Sequence, residues 1–319
     1  MRVLGIDAGG SKTLALLADE DGRVVGEGRS GGANLQTHGE LHVEKTLHAV
    51  IDQALGAQGQ APSAVCLGLA GVDRANDGNV IRDIMRRLGF KSRTLIVNDA
   101  LVALVAGRGE GPGLVLISGT GSIAYGVGAA GTAARSGGWG SVFGDEGSGY
   151  WIGRRALAAV ARGADGRGPQ TRLTKLVLEH LGLARPESLV AEIYDHANGR
   201  RSIASLGQTV DRARAEGDAV ATEILRDAAA ELFLAASSVV SRLDMRGDGF
   251  PTFLSGGILR GVPWLAAEVT RRLAEFAPRS LVSLLEVEPA MGAVRLALAE
   301  ARGGARIPPY VGADHGVRA

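Results

Sequence analysis

Residues 3–18, VLGIDAGGSKTLALLA, and residues 114–127, LVLISGTGSIAYGV, follow one plan. In each, an apolar run enters a turn of glycines and hydroxyls, and a second apolar run leaves it. The first turn is Asp7-Ala8-Gly9-Gly10-Ser11-Lys12-Thr13 and the second is Ser118-Gly119-Thr120-Gly121-Ser122. Short apolar segments around such turns read as antiparallel strands. A third segment follows in both places, Arg23 to Glu27 after Asp19-Glu20-Asp21-Gly22, and Ala133 to Arg135 after Ala129-Ala130-Gly131-Thr132. The repetition reads as a duplication, two units that each open with a β-meander. Two unrelated hairpins would give the same local pattern.

Outward from these turns, strands alternate with helices. Gly39 to Leu55 carries a helical apolar stripe at Leu41, Leu47, Val50, Ile51 and Leu55. Ala64 to Leu69 and Thr94 to Val97 read as strands, Asn79 to Leu88 and Asp99 to Val105 as helices. After Gly147 the chain turns mainly helical: Tyr150 to Arg162, Thr171 to Leu181, Ala204 to Ala215 and Ala219 to Leu243. Thr252 to Leu254 and Leu281 to Leu285 are late strands, Val262 to Phe276 and Ala290 to Ala301 late helices. Such alternation predicts α/β layers.

The composition narrows the function classes. Thirty-five basic residues against 34 acidic ones leave a net charge of +1 in 319 residues, so no electrostatic pull toward nucleic acid or an anionic membrane is expected. No apolar run is long enough to cross a bilayer, no signal peptide is legible, and a cytoplasmic location is the expectation. The single cysteine, Cys66, rules out an intrachain disulfide framework and reads as a buried thiol. The 48 glycines cluster behind apolar runs, where backbone turns or approaches something closely.

Five constellations could carry chemistry. The Asp7–Thr13 turn offers a carboxylate, free backbone N–H groups, hydroxyls and an amine. Such turns cradle anions, and a neighbouring carboxylate can hold magnesium. The Ser118–Ser122 turn repeats the glycine-hydroxyl chemistry. Either turn alone could be an ordinary hairpin; a facing pair could grip a polyphosphate. Asn98-Asp99 lies where a strand meets a helix, so Asp99 could be a general base or merely the helix cap. Gly137-Gly138-Trp139-Gly140 and Gly144-Asp145-Glu146-Gly147-Ser148 combine an aromatic face with acceptors suited to a polyol, or form a structured loop. Ser255-Gly256-Gly257 could admit a flat ring, or simply turn a strand into a helix.

In combination, GTGS, GGWG and GDEGS in that order resemble the N-acetylglucosamine kinase branch of the BadF/BadG/BcrA/BcrD ATPase family, within the sugar kinase, Hsp70 and actin superfamily. The resemblance runs from Val3 to about Ala301 and is densest from Leu116 to Trp151. It implies two ribonuclease-H-like domains around a central cleft, residues 1–110 and 111–319. The second would carry a helical insertion, and the tail after about residue 303 would return to the first. It implies an ATP-dependent kinase for a hydroxyl, O6 by preference, of an amino sugar, with N-acetylglucosamine first and glucosamine or N-acetylmuramate as alternatives. Asp7 would serve magnesium. Gly9, Gly10, Ser11, Lys12, Thr13, Gly119, Thr120 and Gly121 would hold the phosphates, with Gly256 and Gly257 near adenine. Asp99 would be the catalytic base, and Asn34, Ser122, Gly138, Trp139, Gly140 and Asp145 would bind the sugar. A homodimer is a further family-level expectation. Cys66 alone cannot bridge the iron–sulfur cluster of the dehydratase activators in this family, nor supply the zinc motif common in ROK kinases. A sensor without turnover would have no need of Asp99.

Overall fold

The computed structural model describes residues 1–56, 61–72, 75–109, 111–194 and 199–311. The first half runs β1 (Arg2–Ala8), β2 (Lys12–Asp19), β3 (Val24–Gly31), α1 (Leu35–His38), α2 (Glu40–Leu55), β4 (Ala64–Leu69), α3 (Ala75–Arg87), β5 (Arg93–Asn98) and α4 (Asp99–Arg108). The second begins with β6 (Gly113–Ser118), β7 (Ser122–Val127) and β8 (Ala133–Gly137). Among the described residues, the helices that follow are α5 (Gly149–Ala164), α6 (Leu173–Leu181), α7 (Leu189–Tyr194), α8 (Gly199–Ser205), α9 (Gly207–Ala215) and α10 (Ala219–Arg242). It ends with β9 (Pro251–Ser255), α11 (Gly257–Gly261), α12 (Pro263–Phe276), β10 (Leu281–Leu284) and α13 (Ala290–Ala301).

The duplication is visible in the strand order. One sheet is β3-β2-β1-β4-β5 and the other β8-β7-β6-β9-β10. In both, the opening meander is antiparallel, and the next two strands add parallel to its first strand. The helices after the fifth strands, α4 and α13, pack on each other. They share one apolar core with Val3, Leu14 and Cys66 of the first sheet and Val115 and Tyr125 of the second. Burial pushes the Cys66 thiol pKa up, which keeps it protonated and inert. A second core joins the far face of the first sheet to α2 and α3; a third packs the second sheet with α5, α10 and α12.

Two helix boundaries differ from the sequence expectation. The stretch Ala204 to Ala215 is broken at buried Leu206, where α8 ends and α9 begins. A Cβ on Gly207 would lie 2.4 Å from Ile258, so α9 sits against α11. The helix expected from Tyr150 to Arg162 runs from Gly149 to Ala164, with Ser148 as its N-cap accepting from Trp151 N–H. Beyond α13, residues 303–311 run to the edge of the second sheet. There Ala133 N–H donates to Pro309 O, and Val311 N–H donates to Ala133 O, each at 2.8 Å. No helix among the described residues is long and apolar enough to cross a membrane.

Candidate active site

The turn between β1 and β2 and the turn between β6 and β7 meet. Ser11 Oγ and Thr120 Oγ1 lie 2.6 Å apart, a hydrogen bond between residues 109 positions distant in sequence. Matching places in the two meanders therefore touch.

Asp7 sits one residue before the end of β1, opposite Gly68 of β4, and is buried. Burial and the nearby charge of Asp99 raise its carboxyl to about 7, while Lys12 pulls it down. Asp99 opens α4, yet it is not the cap. Asn98 takes that role, its side chain accepting from Ala100 N–H at 2.8 Å. The Asp99 carboxylate thus stands in the first turn of α4, close enough to Asp7 to act on its charge, at the carboxyl end of the sheet.

The rest of the first turn divides its labour. Gly10, Ser11 and Lys12 are exposed, and Gly9 is half-buried. Lys12 Nζ reaches Glu288 at 3.1 Å, just ahead of α13. Thr13 is buried, and its hydroxyl donates to Gly31 O, so it braces the turn and leaves the tip to Ser11. Ala33 N–H donates to Gly9 O at 3.1 Å, which ties the next turn to the first. Asn34 lies in that second turn. Its Oδ1 caps α1 by accepting from Thr37 N–H, and its Nδ2 donates to Ala70 O just past β4.

The turn between β6 and β7 is held from several sides. Ser118 and Ser122 donate their hydroxyls to Gly147 O and Glu146 O, at 2.8 and 2.7 Å. Gly149 N–H donates to Gly119 O. The Gly256-Gly257 turn lies against Gly119: a Cβ on Gly256, whose φ is +96°, would stand 2.2 Å from Ser118 O. Asp145 is buried with a φ of 58°, an unusual conformation for a residue with a side chain. Its carboxylate accepts backbone hydrogen bonds from Ser122 and Gly140. Burial raises its pKa, partly offset by those bonds and by Arg200. Gly138 N–H donates to Ser122 O. The Trp139 ring is exposed, with the Arg135 guanidinium 5.0 Å over it.

The fold therefore gathers Asp7, Ser11, Asp99 and Thr120 in one group. It gathers Gly119, Gly256 and Gly257 in a second, and Ser122, Gly138, Gly140 and Asp145 in a third. Two further residues join them without a sequence motif to announce them. Glu288 neutralises Lys12. Arg200, on α8, places Nη2 3.6 Å from Asp145 and donates from Nη1 to Thr37 Oγ1 at 2.9 Å.

Relatives share this chain over nearly their whole length. The chain is 38% identical over 301 residues to an N-acetylmuramic acid/N-acetylglucosamine kinase of Clostridium acetobutylicum, covering 93% of this chain and 98% of that protein. It is 32% identical to an N-acetyl-D-glucosamine kinase of Dictyostelium discoideum, covering 92% and 97%. A solved structure assigned as an N-acetylglucosamine kinase, from Chromobacterium violaceum, superposes with a TM-score of 0.74 at 26% identity, covering 93% and 98%. With residues 4–297 matching its family pattern, the chain belongs to the BadF/BadG/BcrA/BcrD ATPase family.

Proposed function

We propose that the protein transfers the terminal phosphoryl group of ATP to a hydroxyl of an amino sugar, O6 of N-acetylglucosamine first among them. N-acetylmuramate and glucosamine are the alternatives a sugar panel separates. The observation that carries this reading is the meeting of Ser11 and Thr120 across the cleft, with the Asp7–Asp99 pair beside it. Phosphoryl transfer asks a protein chiefly for positioning and charge stabilisation. The two hydroxyls that bond each other here would each turn to a phosphate oxygen, and the backbone N–H groups around Gly9, Gly10 and Gly119 to Gly121 would add donors. Gly256 and Gly257 shape the cleft wall behind the second glycine turn for a purine.

Magnesium suits the donors present. Asp7 is a buried hard-oxygen ligand raised toward neutrality by burial and a like charge, and Mg²⁺ is commonly held by one or two carboxylates with the substrate's phosphates. When bound there, the ion would neutralise phosphate charge. Asp7 would hold it; Asp99 is kept for the acceptor. Its position at the start of α4 lets its carboxylate align a sugar hydroxyl and take its proton late in transfer. Asn34 from one half and Ser122, Gly138, Trp139, Gly140 and Asp145 from the other would fix the ring. Closure of the halves excludes water and spares ATP.

Asp99→Asn tests the assignment. Sugar binding by calorimetry should persist, while sugar-dependent ADP release falls by roughly 10²-fold or more, the scale of a lost general base. Full turnover in that variant removes Asp99 from the role.

A further inference from the structure

Arg200 belongs to the second half and touches the first. Its helix, α8, is seated on α5: a Cβ on Gly153 would fall 1.9 Å from Ile203 O, so the two backbones are in contact. The segment before α5 carries Asp145, whose carbonyl accepts from Ser148 N–H. Arg200 and Asp145 therefore ride on one body. The Arg200 guanidinium carbon stands 5.7 Å from the centre of the Tyr150 ring of α5, within cation–π range. Its Nη2 lies 3.6 Å from Asp145 Oδ2, and its Nη1 donates at 2.9 Å to Thr37 Oγ1 of the opposite half. The Thr37 hydroxyl, accepting from Arg200, donates onward to Asn34 Oδ1 at 3.3 Å. A single polar chain, Asn34–Thr37–Arg200–Asp145, thus links the two halves. Its two ends are the residues on opposite halves that the family resemblance implies for the sugar. The Arg200 Nε is buried and has no hydrogen-bond partner among the described residues.

We propose that Arg200 is a positioning residue that clasps the two halves over the sugar and offers Nε to a substrate oxygen. The inference rests on the sugar-kinase reading of the cleft and deepens it. In the closed arrangement the guanidinium, held by both contacts, orients Asn34, through Thr37, and Asp145. An unpaired buried donor is unfavourable, and a sugar oxygen arriving between those ends satisfies it. Lysine cannot replace it, since an ammonium on a flexible stem lacks the planar fork needed to serve both ends at once.

Two readouts test the clasp. Small-angle X-ray scattering needs no activity. Arg200→Ala, free of ligands, should show a larger radius of gyration than the wild type, and an unchanged radius overturns the clasp. In steady-state kinetics, Arg200→Ala should raise the sugar KM by about 10- to 100-fold, the range expected for hydrogen bonds to a charged group. Its KM for ATP should move less. Arg200→Lys should recover only part of the loss. Thr37→Val removes the first-half acceptor while keeping the charge on Arg200. The double variant should match Arg200→Ala alone, because the two side chains share one interaction. Independent, multiplying effects on KM overturn the clasp, as does a wild-type sugar KM in Arg200→Ala. If Arg200→Ala does not fold, Thr37→Val decides the same question: a wild-type radius of gyration and sugar KM in that variant overturn the clasp. A wild-type protein without sugar-dependent ADP release would sink the kinase reading instead, and scattering would still decide the clasp.

Discussion

The two glycine turns share a topology but not a job. In the first, the strand ends on Asp7 and Ala8 and the tip stands in the open: a Cβ on Gly10 would have no atom within 4 Å. In the second, the positions paired just before the turn are Ile117 and Ser118, and the turn is wedged from behind by Gly256 and from the side by Asp145. The acid that follows the fifth strand is also unmatched. Asp99 follows β5, whereas Leu285, buried in the shared core, follows β10. A duplicated scaffold has thus kept the neighbouring carboxylates Asp7 and Asp99 in one half and a wedged, rigid turn in the other. Only Ser11 and Thr120, which touch, still look like counterparts. The asymmetry suits a transfer reaction, which needs one set of charges and a firm wall to hold the donor against them.

If the second turn is the rigid wall, a wedge behind it should do the largest damage. Gly256→Ala must accommodate a Cβ 2.2 Å from Ser118 O and 3.0 Å from Gly119 N, at a φ of +96°. Strained backbone and overpacking each cost on the order of 1–3 kcal/mol, so the variant should lose roughly 3 kcal/mol or more in urea unfolding. The clash is with backbone, which cannot swing aside as a side-chain tip can. A wild-type unfolding midpoint would show that the second turn yields, and the contrast between the halves would fail.

If the first half carries a carboxylate pair, removing the charge of its buried member should stabilise the protein while ending activity. Asp7 is an acid whose folded pKa, about 7, lies above its ordinary value near 4. Between those values the folded state holds a proton that the unfolded chain has released. That contribution to stability is present below pH 4 and is lost as pH rises through 7. Asp7→Asn escapes the loss. In magnesium-free buffer at pH 8 it should be more stable than the wild type by on the order of 2–4 kcal/mol, the gap shrinking toward pH 4, with kinase activity abolished. Parallel stability–pH curves for the two proteins would mean that Asp7 carries no buried-charge penalty.

Much of this is legible in the sequence, for physical reasons that differ by residue. The meanders are readable because turn chemistry and short apolar runs are local. That Asn98 rather than Asp99 caps α4 is not readable, since both side chains suit the position and geometry alone chooses. Nor is the commitment of the Thr13 and Ser122 hydroxyls to Gly31 O and Glu146 O, partners 18 and 24 residues away. Arg200 and Glu288 are invisible for the same reason. Each meets the site across more than 50 positions of chain, and each lies in an ordinary charged stretch. The break at Leu206 escapes because the apolar stripe of Ala204 to Ala215 continues through it; what ends the helix is the close packing of Gly207 on Ile258.

The smallest expected change in stability is also the sharpest probe of the open tip. Gly10 is exposed, its φ is not positive, and a Cβ there meets nothing within 4 Å. Alanine at such a site narrows the unfolded ensemble, so Gly10→Ala should leave stability within about 1 kcal/mol of the wild type, on the favourable side. The same methyl would stand where a phosphate must approach the backbone. The KM for ATP should therefore rise several-fold while the sugar KM stays put, measured by coupled ADP release. An unchanged ATP KM would mean that the phosphates lean on the second turn alone. The first turn would then contribute only Asp7 and Ser11, and the division between the halves would be deeper than the shared hydroxyl contact suggests.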